Sequence, residues 1–264
     1  MMPFYRPADS EQQVMMNHSS DAAVWQAFDD AAENYDRASL LQRQSADFLF
    51  HLMLNSPDDL LLKPHMQQWL DAGCGTGILA KKIVMQGQQV YAVDQSAAML
   101  AHVQGVDGIQ TVQADIRHLP FADSSIDGVV SHFALHWLGP SILPELSRVV
   151  RSGGVLWLAI PVQGSFASVH ARYPALPIFD FLPAQAWIDS ASGQKMEVVS
   201  MTEKCWSQPF NHLQDLLHSL KLMGGHRLGR AQVPVSPAQF RSWLRHVEPI
   251  ALEYQVLYMQ LRIL

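Results

Sequence analysis

The chain has 264 residues, of which 48% are hydrophobic, enough to fill one large core and too apolar for wholesale disorder. Its 18 basic and 24 acidic residues leave a formal net charge of −6, which argues against a general nucleic-acid binder. Cys74 and Cys205 form no disulfide framework or zinc-ligand spacing, no apolar run reaches the ~18 residues of a membrane span, and the acidic, apolar-poor start is not a secretory signal. The expectation is a protein of the reducing cytoplasm, with no membrane partner and no nucleic-acid partner.

In chain order, residues 1–20 hold Pro3 and Pro7 without periodicity and predict a flexible tail. Ser20 or Asp21 is placed to cap a helix through Val24, Trp25, Ala27 and Phe28, and Leu40, Leu41, Ala46, Phe48, Leu49 and Leu52 give a second helix its apolar face. After a loop over residues 55–64, a strand over Gln67–Asp71 runs into Gly73, Gly75 and Gly77, and a helix follows over Ile78–Gln86. A strand over Gln89–Val93 ends at Asp94, and Ser96 caps a helix over Ala97–Val103. A strand over Ile109–Ala114 ends at Asp115, a loop carries Pro120-Phe121, and a strand covers Ile126–Ser131. A helix over Ser141–Val150 meets a C-cap signal, Arg151-Ser-Gly-Gly, before a strand over Val155–Ile160.

This alternation predicts an α/β fold with a parallel sheet, right-handed crossovers and helices on both faces. It breaks at residues 162–192, where Pro174, Pro177 and Pro183 suggest an insertion or lid. A strand over Met196–Trp206, an amphipathic helix over Phe210–Met223, a helix over Pro237–Val247 and a strand over Tyr254–Leu264 complete the chain. The organisation expected is one domain over 21–264: N-terminal helices (21–56), a ligand-binding core (67–161), the insertion (162–192) and a C-terminal part (193–264) that completes the sheet.

The glycine turn after the first strand lets a ligand approach the backbone beside a helix N-terminus, where doubly wound sheets bind nucleotides. Gly75-Thr-Gly77-Ile-Leu-Ala80 also satisfies a dinucleotide pattern, with Asp94 at ribose distance. Asp71 tilts the choice, because a carboxylate there repels a pyrophosphate and attracts the ammonium of a methionyl group. The D-x-G-x-G-x-G run resembles the first motif of the class I S-adenosylmethionine (SAM)-dependent methyltransferases. The resemblance implies a Rossmann-like sheet whose last strand is antiparallel, unlike a plain nicotinamide domain.

It also implies SAM as cofactor and S-adenosylhomocysteine as product, held by Asp71, Gly73, Gly75, Gly77, Asp94, Gln95, Met99, Asp115, Ile116 and His132. Asp94 would accept from the ribose hydroxyls, Asp115 and the Ile116 backbone would read the adenine edge, and Met99 and Phe121 would cover the ring faces. His132 and His136 have a zinc-compatible spacing but no Glu at a metalloprotease spacing and no Cys partner, so no metal is expected; they are expected to line or support the pocket.

Three further segments resemble the malonyl-acyl-carrier-protein O-methyltransferase family of bacterial biotin synthesis. They are Phe28-Asp-Asp-Ala-Ala-Glu-Asn-Tyr-Asp36 with Leu41-Gln-Arg-Gln-Ser-Ala46, Ser131-His-Phe-Ala-Leu-His-Trp137, and Ser219-Leu-Lys-Leu-Met-Gly-Gly225 with Gly229-Arg230; Leu158–Ser165 also fits. His132 stands where that family usually has Asn, and His136 where it usually has Gln.

The resemblance implies methyl transfer to the free carboxylate of malonyl-acyl-carrier protein, with malonyl-CoA as a further acceptor. A carboxylate is already ionised and needs no general base. Tyr35, His132 and Trp137 would be catalytic, and Tyr35, Gln44, Phe166, Arg172, Lys221, Arg227 and Arg230 would meet the acyl group or an acidic carrier. Two alternatives stay open: another small-molecule methyltransferase of this class, such as a quinone-ring C-methyltransferase, and a non-catalytic SAM-binding protein.

Overall fold

In the computed structural model, which describes residues 26, 29–33, 35, 39–57, 67–176, 178–223, 235–245 and 248–264, one sheet runs through the molecule. Its strands are β1 (Gln68–Ala72), β2 (Gln89–Asp94), β3 (Ile109–Gln113), β4 (Ile126–His132), β5 (Val150–Val162), β6 (Met196–Phe210) and β7 (Ile250–Ile263). They lie in the order β3-β2-β1-β4-β5-β7-β6. The first five pair in parallel, and β7 runs antiparallel between β5 and β6. The mostly parallel sheet with an antiparallel last strand is thus as the sequence leads one to expect. The direction of winding reverses between β1 and β4, which opens a crevice outside their carboxyl ends.

Apart from Arg151–Gly153 in β5, strands β1, β4 and β5 are buried along nearly their whole length because helices cover both faces of the sheet. On one side, α1 (Leu40–Leu54), α2 (Ile78–Val84) and α7 (Leu213–Leu222) bury Leu49, Ile83 and Leu216 with Trp69 and Tyr258. On the other, α4 (Leu143–Val149) and α6 (Ala184–Ser192) bury Leu146 and Trp187 with Leu70 and Met259. Trp69 and Leu70 are neighbours in β1, so the period of two sends them to opposite cores. Gly128 in β4 makes room for the first, since a Cβ there would lie 2.7 Å from the Trp69 ring.

The remaining helices are α3 (Ala97–Ala101), α5 (Ala167–Arg172) and α8 (Pro237–Arg245). Residues 29–33 and Tyr35 are also helical. The tail at 1–20 and the helix expected through Val24, Trp25, Ala27 and Phe28 lie outside the described residues. Among those described, no helix is long and apolar enough to cross a membrane.

Two boundaries differ from expectation. Arg151-Ser-Gly-Gly does not cap α4: Val150 is already extended (φ −86, ψ 137), so the run belongs to β5, with a register shift opposite Ile126–Gly128. Gly154 is required there, because a Cβ would lie 2.7 Å from the Asp127 carbonyl oxygen. β6 and β7 are longer than their apolar alternation suggests, because each supplies the other's ladder from Met196↔Ile263 to Phe210↔Ile250. The hydroxyls of Ser45 and Tyr258 bond at 2.6 Å, and Trp206 Nε1 donates to the same Tyr258 oxygen at 2.7 Å, so α1 is anchored to this hairpin.

Candidate active site

β1 ends at Asp71–Ala72 and the chain enters a left-handed turn, with φ of +74 at Gly73, +52 at Gly75 and +74 at Gly77. The Gly73 and Cys74 amides donate to the Val93 carbonyl at 2.8 and 2.9 Å, which ties the turn to β2. The glycines serve different ends. A Cβ at Gly73 would meet Ala134 Cβ at 2.3 Å, and one at Gly77 would meet Val103 Cγ1 at 2.1 Å, whereas at Gly75 nothing lies within 4 Å. Gly77 permits packing, Gly73 permits packing and also borders a cavity of ≈ 80 Å³, and Gly75 borders that cavity with clear space at its own Cβ position.

Three carboxylates line that cavity from successive strand ends. Asp71 Oδ2 accepts from the Ala80 amide at 3.0 Å. Burial raises its pKa to about 7 against that hydrogen bond, and the charge of Asp94 adds to the rise. Asp94 accepts from the Gly75 amide (2.9 Å) and the Ser96 amide (2.9 Å), and burial pushes its pKa up despite them. Ser96 caps α3 by accepting from the Met99 amide at 3.0 Å, and its hydroxyl donates to Asp29 of the N-terminal helical residues. Asp115 is gripped by Arg117, whose Nε and Nη2 both reach Oδ2, at 2.9 and 2.7 Å. Burial alone would raise the Asp115 pKa, but Arg117 outweighs it and the net shift is downward.

Gln95, Met99, Ile116 and His132 complete the expected lining, and Gly77 stands behind it. Gln95 Oε1 is buried without a partner, as is His132 Nε2. A buried carboxylate at Asp71 with no cationic side chain paired to it among the described residues fits a ligand that brings an ammonium. Clear space at Gly75 and the orphaned Gln95 oxygen fit a bulky ligand rich in donors.

A second cavity of ≈ 40 Å³ adjoins the first, and Tyr35, Gln42, Phe133 and Trp137 line both. Its walls are aromatic: Phe179 packs on Phe181 (4.8 Å) and Trp137 (5.1 Å), and Tyr254 on Phe133 (5.0 Å) and Phe166 (5.1 Å). Phe133 and Phe166 hold left-handed φ of 54 and 59, a strain that non-glycine residues accept where surrounding structure forces it. Gln42 Nε2 donates to Met223 Sδ at 3.2 Å. Burial pushes the Tyr254 hydroxyl well up, so it stays protonated. No charged side chain lines this chamber among the described residues.

His136 lines the chamber as His132 lines the larger cavity. Burial lowers each pKa to about 3, so both rings are neutral. No group of three or more His, Cys, Asp or Glu side chains that could hold a metal occurs among the described residues.

Phe121 lies elsewhere than expected, and Gln44, Arg172 and Lys221 are surface residues. Phe121 does not cover the cavity; it packs on Tyr91 at 4.9 Å in the core behind it. Gln44 is exposed on α1, and Gln42, about 200° around the same helix, points inward instead. Arg172 is exposed away from both cavities, donating to the Pro249 carbonyl at 3.0 Å and pairing with Glu248. Lys221 is exposed on α7, outside both linings, and Arg227 and Arg230 lie outside the described residues. Gln42, Tyr254, Leu220 and Met223 were not singled out by the sequence. For Gln42 a signal exists, because it shares the stripe of Ala46 and Leu49 at i+4 and i+7.

A methyltransferase-domain family model matches residues 70–158. The chain is 33% identical over 228 residues to the malonyl-[acyl-carrier protein] O-methyltransferase of Pectobacterium atrosepticum, covering 84% of this chain and 86% of that one. It is 34% identical to the protein of the same name from Pseudescherichia vulneris (83% and 86% covered) and 31% identical to that of Erwinia pyrifoliae (89% and 90%). Among solved structures, geranyl diphosphate C-methyltransferase from Streptomyces coelicolor, in complex with Mg²⁺, geranyl diphosphate and S-adenosylhomocysteine, superposes with a TM-score of 0.51. It is 14% identical and covers 83% of this chain and 78% of that one, a likeness of fold.

Proposed function

Because the chain belongs to the malonyl-[acyl-carrier protein] O-methyltransferase family of class I SAM-dependent methyltransferases, we propose that its acceptor is the free carboxylate of a malonyl group on acyl carrier protein. The observation that carries this reading is the small, uncharged, aromatic chamber that opens onto the cofactor cavity through four shared side chains. A malonyl carboxylate, with a pKa of about 3–4, enters it ionised and nucleophilic.

With SAM bound, the O–CH₃ bond forms as the S–CH₃ bond breaks and its electron pair returns to sulfur, so anion and sulfonium cancel without moving a proton. Asp71 would hold the cofactor's ammonium, Asp94 its ribose hydroxyls, and Asp115 with the Ile116 backbone its adenine edge. Tyr35, Gln42, Phe133 and Trp137 stand between the two ligands and set their alignment, which is the main contribution available to a transfer without acid–base chemistry. The aromatic walls exclude water and leave the carboxylate under-solvated.

A quinone-ring C-methyltransferase would need a base to form the carbanion and space for a ring and tail. The two histidines here are poor bases, and no charged side chain lines the chamber among the described residues. The ester would mask the acyl charge, as a fatty-acid elongation primer on the way to biotin requires. An acidic carrier would meet exposed basic residues such as Lys221; Arg172 is less suited because Glu248 already faces it.

Incubation with labelled SAM and malonyl-acyl-carrier protein, malonyl-CoA or a demethylated quinone tests this. Malonyl methyl ester as the labelled product is expected. Labelled quinone would shift the assignment to the carbon nucleophile, and SAM binding without turnover of any acceptor would leave a cofactor-binding protein.

A further inference from the structure

Two buried imidazoles border the site, and the transfer as derived uses neither. His136 faces the acceptor chamber from the 3₁₀ turn Leu135–Trp137 after β4. Trp137 (4.7 Å), Phe181 (5.4 Å) and Phe179 (5.6 Å) frame its ring. Its Nδ1 is buried and has no hydrogen-bond partner, and the rings around it supply none. Most buried polar atoms in folded proteins are satisfied, so the packing around this ring does not by itself account for an imidazole here.

An acceptor carboxylate has two oxygens, of which one attacks and the other must be held still. No cationic side chain lines the chamber among the described residues. An ionised carboxylate only accepts hydrogen bonds, so its partner must donate, and a neutral imidazole, which carries one N–H, does so. We propose that His136 donates its ring N–H to the non-reacting oxygen of the acceptor carboxylate, and thereby selects acyl groups that end in a carboxylate. This rests on the reading that the acceptor is a carboxylate.

Neutrality is part of the role. Burial lowers the His136 pKa to about 3, with His132 adding to it. A neutral donor orients the anion without cancelling its charge, so the charge is lost only on reaching the methyl group. The ester product is a poorer acceptor and leaves more readily.

The test compares His136→Phe, which keeps a planar ring without a donor, with His136→Gln, which keeps one. It is paired with ¹⁵N-histidine NMR of the wild-type chain in S-adenosylhomocysteine, titrated with malonyl-pantetheine or with propionyl-pantetheine, which has the same carbon count but no carboxylate. In His136→Phe the KM for malonyl-acyl-carrier protein should rise about tenfold or more, the worth of one hydrogen bond, with S-adenosylhomocysteine affinity unchanged. His136→Gln should recover most of that loss. The resonance missing from His136→Phe should report a neutral ring and shift with the malonyl compound alone. Equal responses to both pantetheines, or a wild-type KM in His136→Phe, would overturn the inference and leave the proposed reaction standing. If His136→Phe fails to fold, His136→Gln assigns the resonance and the wild-type titration decides. A wild-type chain that never methylates the malonyl substrate would remove the reaction and this inference together.

Discussion

The two halves of the site are built in opposite ways. The cofactor cavity draws its polar groups from short local stretches, Asp71–Gly75, Asp94–Met99 and Ala114–Ile116, at the ends of β1, β2 and β3. The acceptor chamber gathers Tyr35, Gln42, Phe133, His136, Trp137, Phe166, Phe179, Phe181, Leu220, Met223 and Tyr254, from nearly the whole length of the chain. The first is carboxylates and backbone amides held by sheet geometry. The second is aromatic, uncharged and made by tertiary packing. Cofactor recognition is therefore a property of the strand–turn–helix unit and common to the fold, whereas acceptor choice depends on how distant segments meet.

Breaking the cofactor half should give the largest effects. Gly75→Val fills the one clear position in the turn and should abolish S-adenosylhomocysteine binding by calorimetry. It should cost only about 1–2 kcal/mol of stability from left-handed strain. Gly73→Val and Gly77→Val, with 2.3 and 2.1 Å collisions built in, should instead lower the melting temperature severely. Retained binding in Gly75→Val would undo this division of labour.

Asp94→Ala removes a charged acceptor of two ribose hydroxyls, each bond worth roughly 1.5–3 kcal/mol. Affinity should drop at least about a hundredfold. An unchanged affinity would rule Asp94 out as the ribose acceptor.

Next comes a pH effect confined to this half. The Asp71 carboxyl lies near 7 in the ligand-free protein, against an ordinary 3.8. Folding therefore takes up a proton between those values, so ligand-free stability falls as pH rises from about 4 to about 7 and is level above. A ligand ammonium favours the ionised carboxylate. S-adenosylhomocysteine affinity should accordingly weaken by up to about tenfold per pH unit below about 7 and be flat above it. Asp71→Asn should remove the slope, and tighter binding at low pH would contradict the assignment.

On the acceptor side the effects are smaller. Tyr35→Phe should slow single-turnover methyl transfer by about tenfold, one hydrogen bond's worth, and leave cofactor affinity intact. At saturating SAM, the chemical step should vary least of all between about pH 6 and 9. A carboxylate acceptor would be ionised throughout, and His132 and His136, with pKa values of about 3, do not titrate there. A unit-slope rise in log rate with pH would point to a deprotonated nucleophile and break the carboxylate reading.

The same contrast explains what could be read from the residues alone. The alternation of strands and helices, the glycine turn and the three strand-end acids follow from local periodicity and spacing, because each is decided within about ten residues of its neighbours in the chain. For Gln44 the resemblance identifies the segment, while helix phase decides that Gln42 turns inward. For Phe121 the resemblance implies a ring cover, but Tyr91 on β2 supplies a core partner that no local pattern announces. The Arg151-Ser-Gly-Gly run looks like a helix stop, yet Gly154 makes room for the Asp127 carbonyl of β4 and the Val150 side chain, and Gly153 holds a left-handed φ of +77.

The shared wall has a thermodynamic corollary. Tyr35, Gln42, Phe133 and Trp137 touch both cavities, so an adjustment made to seat one ligand alters the surface offered to the other. Whatever factor an acyl group applies to the affinity for S-adenosylhomocysteine, S-adenosylhomocysteine applies to the affinity for that acyl group, because the two routes around the binding square must close. A replacement at any of the four residues that alters this coupling alters it equally whichever of the two ligands is titrated.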